Sequence, residues 1–253
     1  MEIYYNGICC GDAIMNDLGV VLMKLTPRLQ AIVDKVPPGS KVADIGTDHA
    51  YIPVYLLMNH LSSSVIATDS RQGPLQAAEE TLQLFSLSQA AELRLGDGLN
   101  VLKEEDNIDV IIIAGMGGDT ICSILEAGLA LLKKNILLVL QPMTCSDWVR
   151  TWLADNKFSI VREDVAQEED RYYEVIVARW SGKPSLAGEK YLTIGPDLVA
   201  CRHPLLKPML QQRLERKEAA LAGAGGANSS AAKNRILELE KEILLLREVI
   251  AWL

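Results

Sequence analysis

The sequence predicts an α/β fold: a doubly wound, mostly parallel sheet ending in an antiparallel hairpin, followed by a C-terminal helical hairpin. Three observations carry this. Five apolar runs on consecutive positions (Lys41–Ile45, Ser64–Thr68, Ala91–Leu95, Val110–Ala114 and Ile136–Leu140) read as strands covered on both faces. Stretches long enough for crossover helices, such as Pro53–Leu61 and Pro74–Leu87, separate them, and that alternation specifies parallel pairing. Near the C-terminus, apolar residues recur at spacings of three and four over two long stretches.

Taken in order, residues 1–22 show little pattern and are expected to be a short extra arm or the product of a misassigned start, with Met23 the true start. Thr26-Pro27 offers an N-cap and a proline at the first helical position. Leu29, Ile32, Val33 and Val36 then share one helical face, and Pro37-Pro38-Gly39 stops the helix. The five strands follow. Phe158–Val165 and Tyr172–Ala178 are separated only by a turn at Asp170-Arg171, so they form a hairpin and bring the sheet to seven strands. The main domain is expected over 23–180, a linker over 181–202 and a helical, coiled-coil-like domain over 203–253. In that last domain Leu210, Leu214, Lys217 and Leu221 form one seam, with a lysine in an apolar slot. Ile236, Leu239, Ile243, Leu246, Ile250 and Leu253 form the other, across the Gly/Ala/Ser-rich stretch Gly223–Ser230.

Composition narrows the class. Of 253 residues, 49% are hydrophobic and 23% charged, which excludes collagen-like and disordered chains. The net charge of -8 excludes a generic polyanion binder, so any nucleic-acid contact needs a local basic patch. The cysteines (Cys9, Cys10, Cys122, Cys145, Cys201) have no zinc spacing and no CxxC pair, and read as reduced thiols of a cytoplasmic protein. No apolar run approaches the roughly 18 residues of a membrane helix, and no basic segment marks a secretory signal.

The chemistry sits at the carboxyl ends of the strands, where open α/β sheets bind ligands. The first strand ends in Asp44-Ile45-Gly46-Thr47-Asp48-His49-Ala50-Tyr51. Gly46 permits close backbone approach, but Asp48 and Tyr51 stand where a dinucleotide fingerprint has glycines. An acidic loop repels a pyrophosphate and suits a cation. S-adenosylmethionine, with its sulfonium and ammonium, matches carboxylates at Asp44 and Asp48; the plainer alternatives are that Asp44 caps a turn and Asp48 caps a helix. Asp69, 23 positions after Gly46, stands where such folds bind ribose hydroxyls. Asp97, within Gly96-Asp97-Gly98-Leu99, can accept an adenine amine, although by itself that segment reads as a tight turn. Ala114-Gly115-Met116-Gly117-Gly118 offers backbone at close range, and Gln141 puts an amide at the same edge. His49 lacks the partners of a hydrolytic triad or metal site, so hydrolase and metalloenzyme readings fall away.

These pieces, in this order, resemble the bacterial tRNA (adenine(22)-N1)-methyltransferase family: Asp44–Pro53 (DIGTDHAYIP), Gly96–Leu99 (GDGL), Ala114–Gly118 (AGMGG), Gln141-Pro142 and Tyr172-Tyr173-Glu174 (YYE). The likeness runs from Leu25 to about Trp180, and the helical tail is similar in kind. Met143 departs from it, since many members read Gln-Pro-Asn. The resemblance implies a Rossmann-like, seven-stranded class I methyltransferase that uses S-adenosylmethionine on N1 of an adenine in tRNA. Cofactor contacts are then expected from Asp44, Gly46, Thr47 and His49, from Asp69, Ser70, Asp97 and Gly98, and from Ala114, Gly115, Met116 and Gly117. Asp48 is the candidate to stabilise the cationic product, and Tyr51 to stack on the flipped base.

For RNA, the expected contacts are Arg202, Lys207 and Arg213 in the tail, where from Arg202 to Glu218 the basic residues outnumber the acidic ones, with Arg28, Arg150 and Arg71 adding contacts near the cleft. The plainer reading is a solvated helix face. The expected partner is tRNA, with no membrane and no metal, and a monomer is the expected state. The alternative function is a methyltransferase acting on a small molecule, a protein or another RNA. A nicotinamide-dependent dehydrogenase is opposed by the missing glycines, and a non-catalytic scaffold by the full set of cleft motifs.

Overall fold

A computed structural model of the chain describes residues 11–15, 21–184, 188–224 and 230–253. The chain divides at Ala187/Gly188 into two compact units.

The first unit opens with a two-stranded antiparallel ribbon, β1 (Gly11–Met15) and β2 (Val21–Leu25), in which Met23 sits opposite Ala13. Part of the arm is thus paired with the residues that follow it; 1–10 and 16–20 lie outside the described residues. Helix α1 (Pro27–Val33) starts where Thr26-Pro27 placed it, but the Thr26 hydroxyl makes no cap bond. The Arg28 N–H donates instead to Glu168 Oε2 (3.3 Å).

The main sheet contains β3 (Ser40–Ile45), β4 (Ser62–Asp69), β5 (Ala91–Leu95), β6 (Val110–Gly117), β7 (Leu137–Thr144), β8 (Phe158–Glu168) and β9 (Arg171–Trp180). Their order is β5-β4-β3-β6-β7-β9-β8. The first five are parallel; β9 lies antiparallel between β7 and β8. Crossover helices α2 (Tyr51–Met58), α3 (Gln72–Leu84), α4 (Gly118–Ala127) and α6 (Ser146–Asp155) connect the strands, with short α5 (Leu129–Leu132) after α4.

Consecutive aliphatics are buried because both faces are covered. Val42, Val110, Ile112 and Val139 enter a core with Leu29 and Ile32 of α1 and Val54 of α2. Their neighbours Ala43, Ile111, Ile113 and Leu138 enter the opposite core with Ile121 and Leu125 of α4 and Val149 of α6. Truncating one of these isoleucines to alanine costs about 2–5 kcal/mol. β3 leads its crossover toward one edge of the sheet and β6 toward the other, so the switch point lies between them.

The stretch expected as linker, 181–202, straddles the division, and its part in the second unit carries α7 (Glu189–Ile194) and α8 (Pro196–Ala200). Gly195-Pro196 ends one helix and begins the next, and Ile194 and Leu198, one turn apart, are fully buried, which a solvated linker could not satisfy. α9 (Leu206–Gly223) and α10 (Ser230–Trp252) follow, with 225–229 of the intervening Gly/Ala/Ser stretch outside the described residues. They run antiparallel: Arg202 lies over Trp252, Lys217 pairs with Glu242, and Glu218 with Arg247 (2.6 Å). The lysine in the apolar slot is thereby neutralised. Leu239, Ile243 and Leu246 are buried as their spacing required, whereas Ile236, Ile250 and Leu253 are half-buried and Val249 is the buried residue beside Ile250. No helix among the described residues is long and apolar enough to cross a membrane.

Candidate active site

β3 delivers Asp44, almost fully buried, to the carboxyl edge of the sheet. The chain then turns through Gly46 (φ +78°), whose N–H, with that of Thr47, donates to Thr68 O of β4 at 2.8 Å. A Cβ on residue 46 would stand 2.1 Å from Met116 Cε, so glycine is what lets the β3 loop and the β6 loop share this space. Asp48 (φ +39°) and Ala50 (φ +56°) also adopt left-handed backbone, and Ala50 begins α2. Strained non-glycine residues of this kind persist where surrounding structure holds them, often at functional sites.

The turn exposes Asp48 and sets its Oδ1 3.9 Å from His49 Nε2. The His49 ring stacks on Tyr51, centroids 5.4 Å apart. At the end of β4, Asp69 Oδ1 accepts the Arg71 N–H (2.8 Å), with Arg71 Nε 3.6 Å away. Beyond β6, a Cβ on Gly118 would meet Cys145 O at 2.3 Å and Thr144 O at 2.8 Å. The last glycine of the cluster therefore packs α4 against the loop after β7.

Two adjoining cavities, each of about 300 Å³, result. They share Gly46, Asp69, Arg71 and Met116. The first is closed by Ser70, Asp97, Gly98 and Leu99, and by Thr120, Ser123 and Ile124 of α4. The second is closed by Arg28, Asp44, Thr47, Asp48, His49, Tyr51, Ala114, Gly115 and Met143.

Every residue expected to touch cofactor or substrate base lines one of these cavities except Gly117, which is the N-cap of α4. Motifs more than 60 positions apart in sequence are thus brought together by the β3–β6 pairing, Ile45 opposite Ile113. Sequence reasoning missed the α4 wall, although Thr120, Ser123, Ile124 and Ala127 follow helical spacing along one face. Arg28 lines the second cavity as well as being a candidate RNA contact. Gln141 is fully buried behind the cleft and accepts a bond from Arg28.

Arg150 requires a correction. It was expected to meet RNA, but it is fully buried in α6, with Nε donating to Glu163 (2.6 Å) and Nη2 to Glu174 (2.5 Å). Glu174 also accepts from Ser146 (2.6 Å). Two carboxylates bridging to one guanidinium explain both the burial and the glutamate of the YYE motif: the group ties α6 to the β8–β9 hairpin. Arg202, Lys207 and Arg213 belong to the second unit; Lys207 is exposed, whereas Arg213 is half-buried and donates to Thr193 O (3.4 Å).

The cleft fits S-adenosylmethionine. Burial pushes the Asp44 carboxyl up to about 6, a cost that a cation placed against it would reverse. Gly46, Asp69, Arg71 and Met116 line both cavities, so one ligand can extend from the first into the second. Asp69 and Asp97 supply acceptors at the far end.

Comparison with known proteins agrees with this geometry. The sequence profile of tRNA (adenine(22)-N(1))-methyltransferase matches residues 42–248. The tRNA (adenine(22)-N(1))-methyltransferase of Bacillus subtilis is 33% identical over 233 residues, covering 90% of this chain and 98% of that protein. A Streptococcus pneumoniae structure in complex with S-adenosyl-L-methionine is 32% identical, with TM-score 0.80, over 90% of this chain and 100% of that one. An M. capricolum structure holding S-adenosyl-homocysteine is 26% identical, with TM-score 0.75, over 88% and 96%. With the seven-stranded sheet, the acidic switch-point cleft and a profile match over most of its length, this chain belongs to the tRNA (adenine(22)-N(1))-methyltransferase family.

Proposed function

We propose that this protein methylates N1 of adenine 22 in tRNA, with S-adenosylmethionine as donor. The observation that carries the reading is the acid-lined double cavity at the β3–β6 switch point of a chain belonging to this family. When bound, S-adenosylmethionine supplies an electrophilic methyl group on a positively charged sulfur.

The chain's own residues divide the work. Asp69 accepts from ribose hydroxyls, with Ser70 beside it, and Asp97 with Gly98 binds the adenine end in the first cavity. Asp44, Thr47 and His49 hold the charged amino-acid end, while Ala114, Gly115 and Met116 form the floor. Gly117 starts α4 and so sets the far wall. Adenine N1 carries an in-plane lone pair on its Watson–Crick edge, so the base must leave any helix before it can react. Tyr51, braced by His49, stacks on that base. Methylation leaves the ring cationic, and Asp48 stabilises the new charge. Alignment of nucleophile and methyl supplies much of the rate.

Arg28 at the cleft and Arg202, Lys207 and Arg213 in the second unit contact the RNA. The protein works in the cytoplasm, a reading supported by the free thiols of Cys122, Cys145 and Cys201. The test is incubation with labelled S-adenosylmethionine and unmodified tRNA, then mapping of the modified nucleotide. Label at N1 of adenine 22 is expected; label elsewhere, or none, overturns the reading.

A further inference from the structure

Arg28 is held from three sides before any substrate arrives. Its backbone N–H is bound by Glu168 at the end of β8, its Nη1 donates to Gln141 Oε1 (3.0 Å), and its guanidinium carbon lies 5.6 Å from the centre of the Tyr173 ring. Gln141 is fully buried, and its Nε2 donates to Pro142 O (3.0 Å), which leaves the amide oxygen to face Arg28. Nη1 lies beside Gly115, where a Cβ would stand 3.8 Å from it. Among the described residues no acceptor meets Nε or Nη2. Arg71 is the second cation lining this cavity, but its side chain is 74% exposed and lies against Asp69.

We propose that Gln141 and Tyr173 preset Arg28 to grip a backbone phosphate next to the target adenine, making Gln141 a positioning residue that acts through Arg28. This rests on the tRNA reading above. A donor aimed at N1 would occupy the lone pair that must take the methyl group, and a guanidinium beside N1 would oppose the cation that forms there. A phosphodiester flanks every extruded base and matches the planar fork of arginine. A buried amide that fixes the fork in advance lowers the ordering cost of that contact. The β8–β9 hairpin thereby serves the cleft: Glu168 and Tyr173 both bear on Arg28, while Glu174 anchors the hairpin to α6.

The experiment measures steady-state kinetics on an unmodified tRNA transcript, together with calorimetry of S-adenosylhomocysteine binding. Arg28→Ala is expected to raise KM for tRNA about tenfold or more, since a bond to a charged group is lost. It should leave kcat and S-adenosylhomocysteine affinity within about twofold and lower the salt slope of tRNA binding by about one. Gln141→Leu should raise KM in the same direction, and the double variant should be no worse than Arg28→Ala. Gln141→Glu keeps the acceptor and should restore KM, which separates lost positioning from lost folding. An active wild type with unchanged KM in Arg28→Ala overturns the proposal. So does a fall in kcat at constant KM, or additive losses in the double variant. A wild type that methylates no tRNA sinks the tRNA reading itself, and this inference with it.

Discussion

Met116 occupies the place that a side chain at Gly46 would take: a Cβ there would sit 2.1 Å from Met116 Cε. Gly46→Ala therefore combines a left-handed backbone, costing a non-glycine residue about 1–2 kcal/mol, with displacement of the methionine into the passage between the cavities. We expect a small loss of stability and at least a tenfold loss of S-adenosylhomocysteine affinity, read by thermal melts and calorimetry. Normal affinity would remove this passage from the ligand site.

Asp44 trades stability for binding. Its carboxyl titrates near 3.8 when unfolded and near 6 when buried, so between those values the folded state holds more protons. Its contribution to stability is present below about pH 4 and is lost as pH rises through 6. At pH 7.5, Asp44→Asn should stabilise the ligand-free protein by on the order of 1–3 kcal/mol in urea denaturation. It should also weaken S-adenosylmethionine binding more than tenfold, and wild-type affinity should fall as pH drops below 6. A variant that binds normally refutes the electrostatic pairing.

Asp48 lies in strained backbone with an exposed carboxylate. Asp48→Asn tolerates the same φ, so it isolates the charge. Turnover is expected to drop on the order of 100-fold while the melting temperature moves little. Unchanged kcat would take Asp48 out of the chemistry.

Removing one partner of a buried ion pair leaves a charge uncompensated. Glu174→Gln should cost about 3 kcal/mol in chemical denaturation, because Arg150 and Ser146 both lose their acceptor carboxylate. A loss below about 1 kcal/mol would show that Glu163 alone satisfies Arg150.

Lys207→Glu, on the exposed face of α9, should weaken tRNA binding several-fold at low salt and flatten its salt dependence, with cofactor affinity unchanged. Equal tRNA affinity in a filter-binding series would remove this face from the RNA contact.

The main sheet was legible because burial on both faces forces consecutive aliphatics, as in Val110–Ile113. The cleft was legible because strand ends in such sheets converge, so the sequence alone put Asp44, Asp69, Asp97 and Gly115 at one edge, where they line the two cavities. Helices α7 and α8 were not, since a segment rich in glycine and proline reads as linker until Ile194 and Leu198 are seen to be buried.

Arginine marks the boundary between the two kinds of knowledge. The chain's local order specified strands, turns and an acidic rim, because periodicity, turn chemistry and charge are properties of near neighbours. It left Arg28 and Arg150 alike, both cations expected near an acidic cleft. Folding separated them: Arg150 is enclosed by Glu163 and Glu174, while Arg28 is braced by Gln141 and, among the described residues, keeps donors to spare. A long cation is stable either in water or against buried acceptors, and which of these it meets depends on residues brought in from elsewhere in the chain.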